Sequence, residues 1–191
     1  MGSEVKEKLA PSIEKQSDFS GMGIVGDTGI IGLDGTYMVQ HYRKGKLIDE
    51  FKCENMVVDQ GLNYVLNAAF GHTAPLSGWY AGIFEGNYTP TSGATAATVA
   101  ALATECTAYT SATRPQWTSV ASTSKQLTNG ASRASFTFNA QKTVYGALLI
   151  SSNIKAGTAG TLFSVSRFAT PKQVDVDDEL LVTYVLNAAD A

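Results

Sequence analysis

The chain is poor in the residues that carry most catalytic and metal chemistry. It has two cysteines in 191 residues, Cys53 and Cys106, too few for a disulfide framework or a four-thiolate zinc site. The expectation is two free, partly buried thiols and a cytoplasmic site of synthesis. The only histidines are His41 and His72. Neither belongs to an HExxH motif or stands beside a cysteine at ligand spacing. A Cys–His nucleophilic pair would need distant residues to converge. Charge is also scarce: 16% of residues are charged, against about 25% in an ordinary soluble domain. The balance of 14 basic and 17 acidic residues gives −3, with pI near 5.3. This disfavours a general nucleic-acid binder, which needs a basic surface. No apolar run approaches the roughly 18 residues of a membrane span, and residues 1–6 carry no signal-peptide apolar region. Met1-Gly2 begins like a myristoylation site, but Lys6 stands where Ser or Thr is wanted.

Hydrophobic residues make up 44%, enough to exclude a wholly disordered chain. The length fits about one domain with an appendage. The appendage is the first 34 residues. Val5, Leu9 and Ile13 recur every four residues, but Pro11 limits any helix. Gly21, Gly23, Gly26, Gly29, Gly32 and Gly35 follow, a density that resists regular packing. Residues 1–34 therefore read as an extended N-terminal arm. Its apolar residues Ile24, Val25, Ile30, Ile31 and Leu33 are wasteful in a segment that never docks, so they are the candidate partner-binding residues.

The body, residues 35–191, reads as mainly β. Thr36 to Arg43 and Lys46 to Cys53 form a hairpin around Lys44-Gly45. Val58, Leu62, Val65, Leu66 and Ala69 share a helical face. They place one helix near residues 57–70, with Gly71 as its C-terminal cap. Strands follow at Trp79–Phe84, around Ala134–Phe138, and at Val144–Ile150, Leu162–Phe168 and Leu180–Leu186. Val144–Ile150 is apolar at both parities, as a strand covered on both faces would be. Phe136, Phe138, Leu148, Leu162, Val182 and Tyr184 should be largely buried. The pattern predicts an antiparallel β-sandwich, jelly-roll-like, with one helix. Between His72 and Ala131 only Glu85, Glu105, Arg114 and Lys125 are charged. That stretch is either a long loop packed on the body or on neighbouring subunits, or a weakly ordered polar loop.

Motifs for chemistry are weak. Gly21-Met22-Gly23-Ile24-Val25-Gly26 matches GxGxxG but lacks the preceding strand and following helix that dinucleotide binding needs. Asp175, Asp177, Asp178 and Glu179 lack EF-hand spacing, and a turn into a strand explains them more simply. Asn87-Tyr88-Thr89 is a glycosylation sequon without a secretory context. No serine sits in GxSxG. The residues call for no catalytic group, no metal and no cofactor.

Four stretches carry a resemblance. They are Gly35–Tyr42 with Gly45–Glu50; Asn55-Met56-Val57-Val58-Asp59-Gln60-Gly61-Leu62-Asn63; Trp79–Pro90 leading through Ala96-Ala97 to Ala103–Cys106; and Ala134–Phe138 with Val144–Leu149, Gly160–Ser164, Phe168 and Asp178–Tyr184. In this order they resemble small virion structural proteins of tailed bacteriophages, of the head decoration, cement or fibre-related kind. The resemblance covers about residues 35–188. It implies a non-enzymatic capsid decoration or cement subunit on the virion surface that stabilises the head lattice. Its implied partners are itself, as a homotrimer, and the major capsid protein or another virion protein, with no nucleic acid and no membrane. A tail, neck or fibre-attachment subunit is the alternative. A third reading, a glycan hydrolase, needs two carboxylates flanking a bond. Glu85 and Glu105 are the only candidates in the long polar region, and nothing in the sequence pairs them.

Overall fold

A computed structural model describes residues 31–190. Ile24, Val25 and Ile30, with the rest of residues 1–30, lie outside the described residues. The chain forms β1 (Ile31–Arg43), β2 (Lys46–Glu54), β3 (Met56–Val57), α1 (Asp59–Ala69), β4 (Trp79–Phe84), α2 (Ala96–Leu102), β5 (Gln116–Trp117), β6 (Gln126–Thr128), β7 (Ala134–Thr137), β8 (Lys142–Ile150), β9 (Leu162–Val174) and β10 (Glu179–Asp190).

These strands make the two antiparallel sheets of a sandwich. In one sheet the order is β2-β1-β10, and β10 carries β6 and β7 at different levels of its far edge. In the other the order is β3-β9-β8-β4-β5. The β1–β2 turn uses Lys44 and Gly45, both at positive φ (50° and 74°), the backbone that matches the twist of a tight hairpin. The pairing of β1 with β10 begins at Ile31 opposite Asp190. Residues 31–34, placed in the arm from sequence, therefore belong to the sheet.

Alternation builds the core between the sheets. Tyr37 and Val39 on β1, Leu180, Val182 and Tyr184 on β10, and Phe136 on β7 meet Ala81, Ile83, Ala147, Leu149 and Phe163 of the other sheet. Tyr37 and Tyr184 stack with ring centroids 4.5 Å apart, and the Tyr37 hydroxyl lies 2.8 Å from that of Ser164. The six residues expected to be buried are all at most 1% exposed.

The second sheet is covered on its other face as well. Phe84, Leu148, Ile150, Leu162 and Val165 pack there against Tyr88, Ala94, Ala96, Val99 and Ala103. This explains the uninterrupted apolar run of β8. It also accounts for part of the charge-poor stretch, whose 85–106 portion packs on its own body, while residues 72–77 and 121–126 are exposed. α2 lies in that portion and was not expected. Thr95 caps it by accepting from the Thr98 amide at 3.2 Å, and the alanines that follow are strong helix formers.

The expected helix is α1, with Gly71 (φ 76°) just beyond it. Its packing face differs from the expected one. Gly61 is buried, and a Cβ there would fall 2.5 Å from the Phe163 carbonyl oxygen. Backbone therefore meets backbone at Gly61, and the helix rolls onto Val58, Gly61 and Val65. Leu66 and Phe70 turn away and stay 58% and 74% exposed.

Candidate functional site

The side chains with chemistry fall into three groups. The first joins the 104–114 loop to the loop after β8. Arg114 donates to both oxygens of Glu105, Nε to Oε1 at 2.7 Å and Nη2 to Oε2 at 2.6 Å. Arg114 also donates to the Ser152 carbonyl, and the Ala156 amide donates to Glu105. Both side chains are 2% exposed. Lys155 donates to the Thr107 and Tyr109 carbonyls and sits over the Tyr109 ring. A buried pair with its remaining hydrogen bonds satisfied is a structural clamp.

The second group closes the far end of the sandwich. His41 points inward from β1, with Nε2 2.8 Å from Asp178 Oδ2. Arg43 donates to Asp178 through Nε at 2.9 Å and Nη2 at 2.7 Å, and also pairs with Asp175. The Asp175 amide donates to Asp178 as well. The Arg43 guanidinium, with further help from the Asp175 amide and His41, holds the Asp178 carboxyl well below the usual carboxylate range despite its burial. Three of the four acidic residues read from sequence are thus engaged: Asp175 and Asp178 by Arg43, and Glu179 by accepting from Ser135. Among the described residues no group of three or more potential ligands is arranged to hold a metal ion.

The third group lines an open groove of about 560 Å³ between the β4 end and β8, with Glu85, Thr104, Gln141, Lys142, Tyr145 and Gln173 on its walls. The Lys142 ammonium lies 2.9 Å from Glu85 Oε2, and this carboxylate raises its pKa. Cys106 is fully buried. Burial pushes its thiol up to about 11, with the Glu85 carboxylate adding to the shift, so it is a thiol at neutral pH. Glu105 does not line this groove. The two carboxylates weighed from sequence are each held by a separate cation.

Ile31 and Leu33, the candidate partner residues within the described range, stand on β1 opposite Asp190 and Ala188. Leu33 is half-buried. The surface feature that sequence reasoning missed is the uncovered side of α1. There Leu66 and Phe70 are one turn apart, and the Leu76 amide is held by the Tyr64 hydroxyl. Its signal was the width of the apolar face, too broad for a helix seated on a glycine. No protein-family model matches the chain, and no curated protein matches it in sequence.

Proposed function

We propose that the chain is a non-enzymatic structural subunit of a tailed-bacteriophage particle, a head decoration or cement protein that binds the capsid lattice and stabilises it. The observation that carries this reading is a set of exposed large apolar side chains, with Leu66 and Phe70 one turn apart on α1, on a charge-poor body. Phe70, Leu66, Leu102, Val120 and Ile154 are each 58% exposed or more, on a chain with 16% charged residues. Such side chains suit a surface that other subunits cover. Many weak contacts repeated around a shell then add up through avidity. The three charged groups support the same reading, because each is spent on cross-linking loops and strands.

The arm residues Ile24, Val25 and Ile30 are proposed to add contacts to a neighbouring subunit or to the capsid protein. A tail, neck or fibre-attachment subunit is the second reading, favoured by the same surface at lower copy number. The test is binding of the purified full chain to capsids stripped of accessory proteins. Saturable binding that protects the shell against heat is expected. Failure to bind heads together with binding to tails would transfer the proposal to the second reading, and binding to neither would overturn both.

A further inference from the structure

Strand β2 is nine residues long and pairs with β1 alone among the described residues. The other edge strands, β3 and β5 to β7, are two to four residues long. A long open edge is a template for another strand, and the sequence of this one is complementary to itself. Its core-facing side carries Phe51, packed on Phe168 at 4.9 Å between ring centroids. Its solvent side carries Glu50, Lys52 and Glu54, all exposed. A bulge sets Ile48 outside the β1 register, since His41 pairs with Asp49 and Tyr42 with Leu47. The regular edge therefore runs from Asp49 to Glu54.

Only registers that place residues of equal parity opposite one another keep both core faces on one side of the joined sheet. Centring an antiparallel pair on Asp49 sets that carboxylate against its own copy. Centring it on Glu50 or on Lys52 sets that charge against its own copy. Centring it on Cys53 sets Lys52 against Glu54, but only residues 52–54 of the regular edge are then paired. Centring it on Phe51 pairs residues 49–53 and sets Glu50 against Lys52 of the second copy, twice, with the two Phe51 residues across from each other. Like charges directly opposite destabilise a strand pair, and opposite charges stabilise it. Glu50 is also ordered before any partner arrives: Arg133 donates to the Gln40 side-chain oxygen, and the Gln40 amide donates to Glu50. Lys52 has no ion-pair partner among the described residues.

We infer that β2 pairs antiparallel with β2 of a second copy in the register centred on Phe51, making a two-fold dimer with one continuous sheet. The isologous geometry closes on two subunits, so this contact cannot itself build the trimer that the resemblance implies.

The test is sedimentation of the full chain over a concentration series, with Glu50→Lys, Lys52→Glu and the double exchange. Both side chains are exposed, and the melting temperature monitors folding. Each single variant places like charges opposite and is expected to weaken dimerisation about tenfold or more. The double exchange restores it. So does mixing the two single variants, because the lysine introduced in one copy then faces the glutamate introduced in the other. A monomer at all concentrations, a trimer, or a dimer indifferent to the exchanges would overturn the inference. None of these results bears on capsid binding, which is measured separately.

Discussion

Arg114 and Glu105 hold each other through two charge-assisted hydrogen bonds in a site where both side chains are 2% exposed. Removing one partner leaves an uncompensated buried charge, which costs about 3–5 kcal/mol. Glu105→Ala and Arg114→Ala are each expected to lower the melting temperature by about 6–20 °C, at roughly 2–4 °C per kcal/mol for a body of this size. Arg114→Lys should recover only part, because an ammonium cannot make the two-bond fork. Thermal unfolding followed by circular dichroism checks this.

Asp178 gives the fold an acid limit. Its folded pKa lies below its unfolded value because Arg43, the Asp175 amide and His41 favour the carboxylate. Its contribution is therefore complete above the unfolded pKa of about 4. It is lost as pH falls below that value towards the depressed folded one. Asp178→Asn should reduce stability at neutral pH and flatten the loss of stability between about pH 4 and pH 2. Denaturant unfolding at a series of pH values reads both effects. An unchanged slope in the variant would contradict the assignment.

Gly61→Ala tests the seat of α1. In an exposed helix interior the change would gain about 1 kcal/mol. Here the new Cβ would sit 2.5 Å from the Phe163 carbonyl oxygen and 2.9 Å from its Cα. Overpacking of this kind costs about 1–3 kcal/mol. A net destabilisation in denaturant unfolding is expected, and a stabilised variant would mean that the helix does not approach this closely.

The sandwich was legible because its strands follow simple rules. Phe136 and Phe138 alternate with polar neighbours. Leu180, Val182, Tyr184 and Leu186 share a face, and Lys44-Gly45 supplies the turn backbone. The beginning of β1 was not legible, because Gly32 continues the run of closely spaced glycines that read as arm up to residue 34. Gly35 is in fact selected by packing: a Cβ there would collide with the Tyr184 ring. α2 was hidden because alanines in a Thr- and Ala-rich stretch carry little periodicity. The pairs Arg114–Glu105 and His41–Asp178 join residues 9 and 137 positions apart. No local spacing rule applies to either. The exposure of Leu66 and Phe70 depended on which side of α1 the backbone contact at Gly61 selects.

Phe70→Ser and Leu66→Ser separate surface from core. Both side chains are mostly exposed, so stability should change by about 0.5 kcal/mol or less. Binding to capsid or to a neighbouring subunit should weaken about tenfold or more, which is about 1.4 kcal/mol. Because β1 begins at Ile31, the matching arm truncation removes residues 1–30 and spares the sheet. It should leave the melting temperature nearly unchanged while weakening the same binding. A truncated chain that binds as the full chain does would remove the arm from the proposal.

The central claim is that this chain is a structural part of a phage head. Its most direct measurement is the copy number of the chain in purified particles that carry its gene, by quantitative mass spectrometry against the major capsid protein. The account predicts a stoichiometry matching positions of the capsid lattice, on the order of hundreds of copies. A handful to a dozen copies would place it in the tail or neck, and a particle without it would contradict the claim.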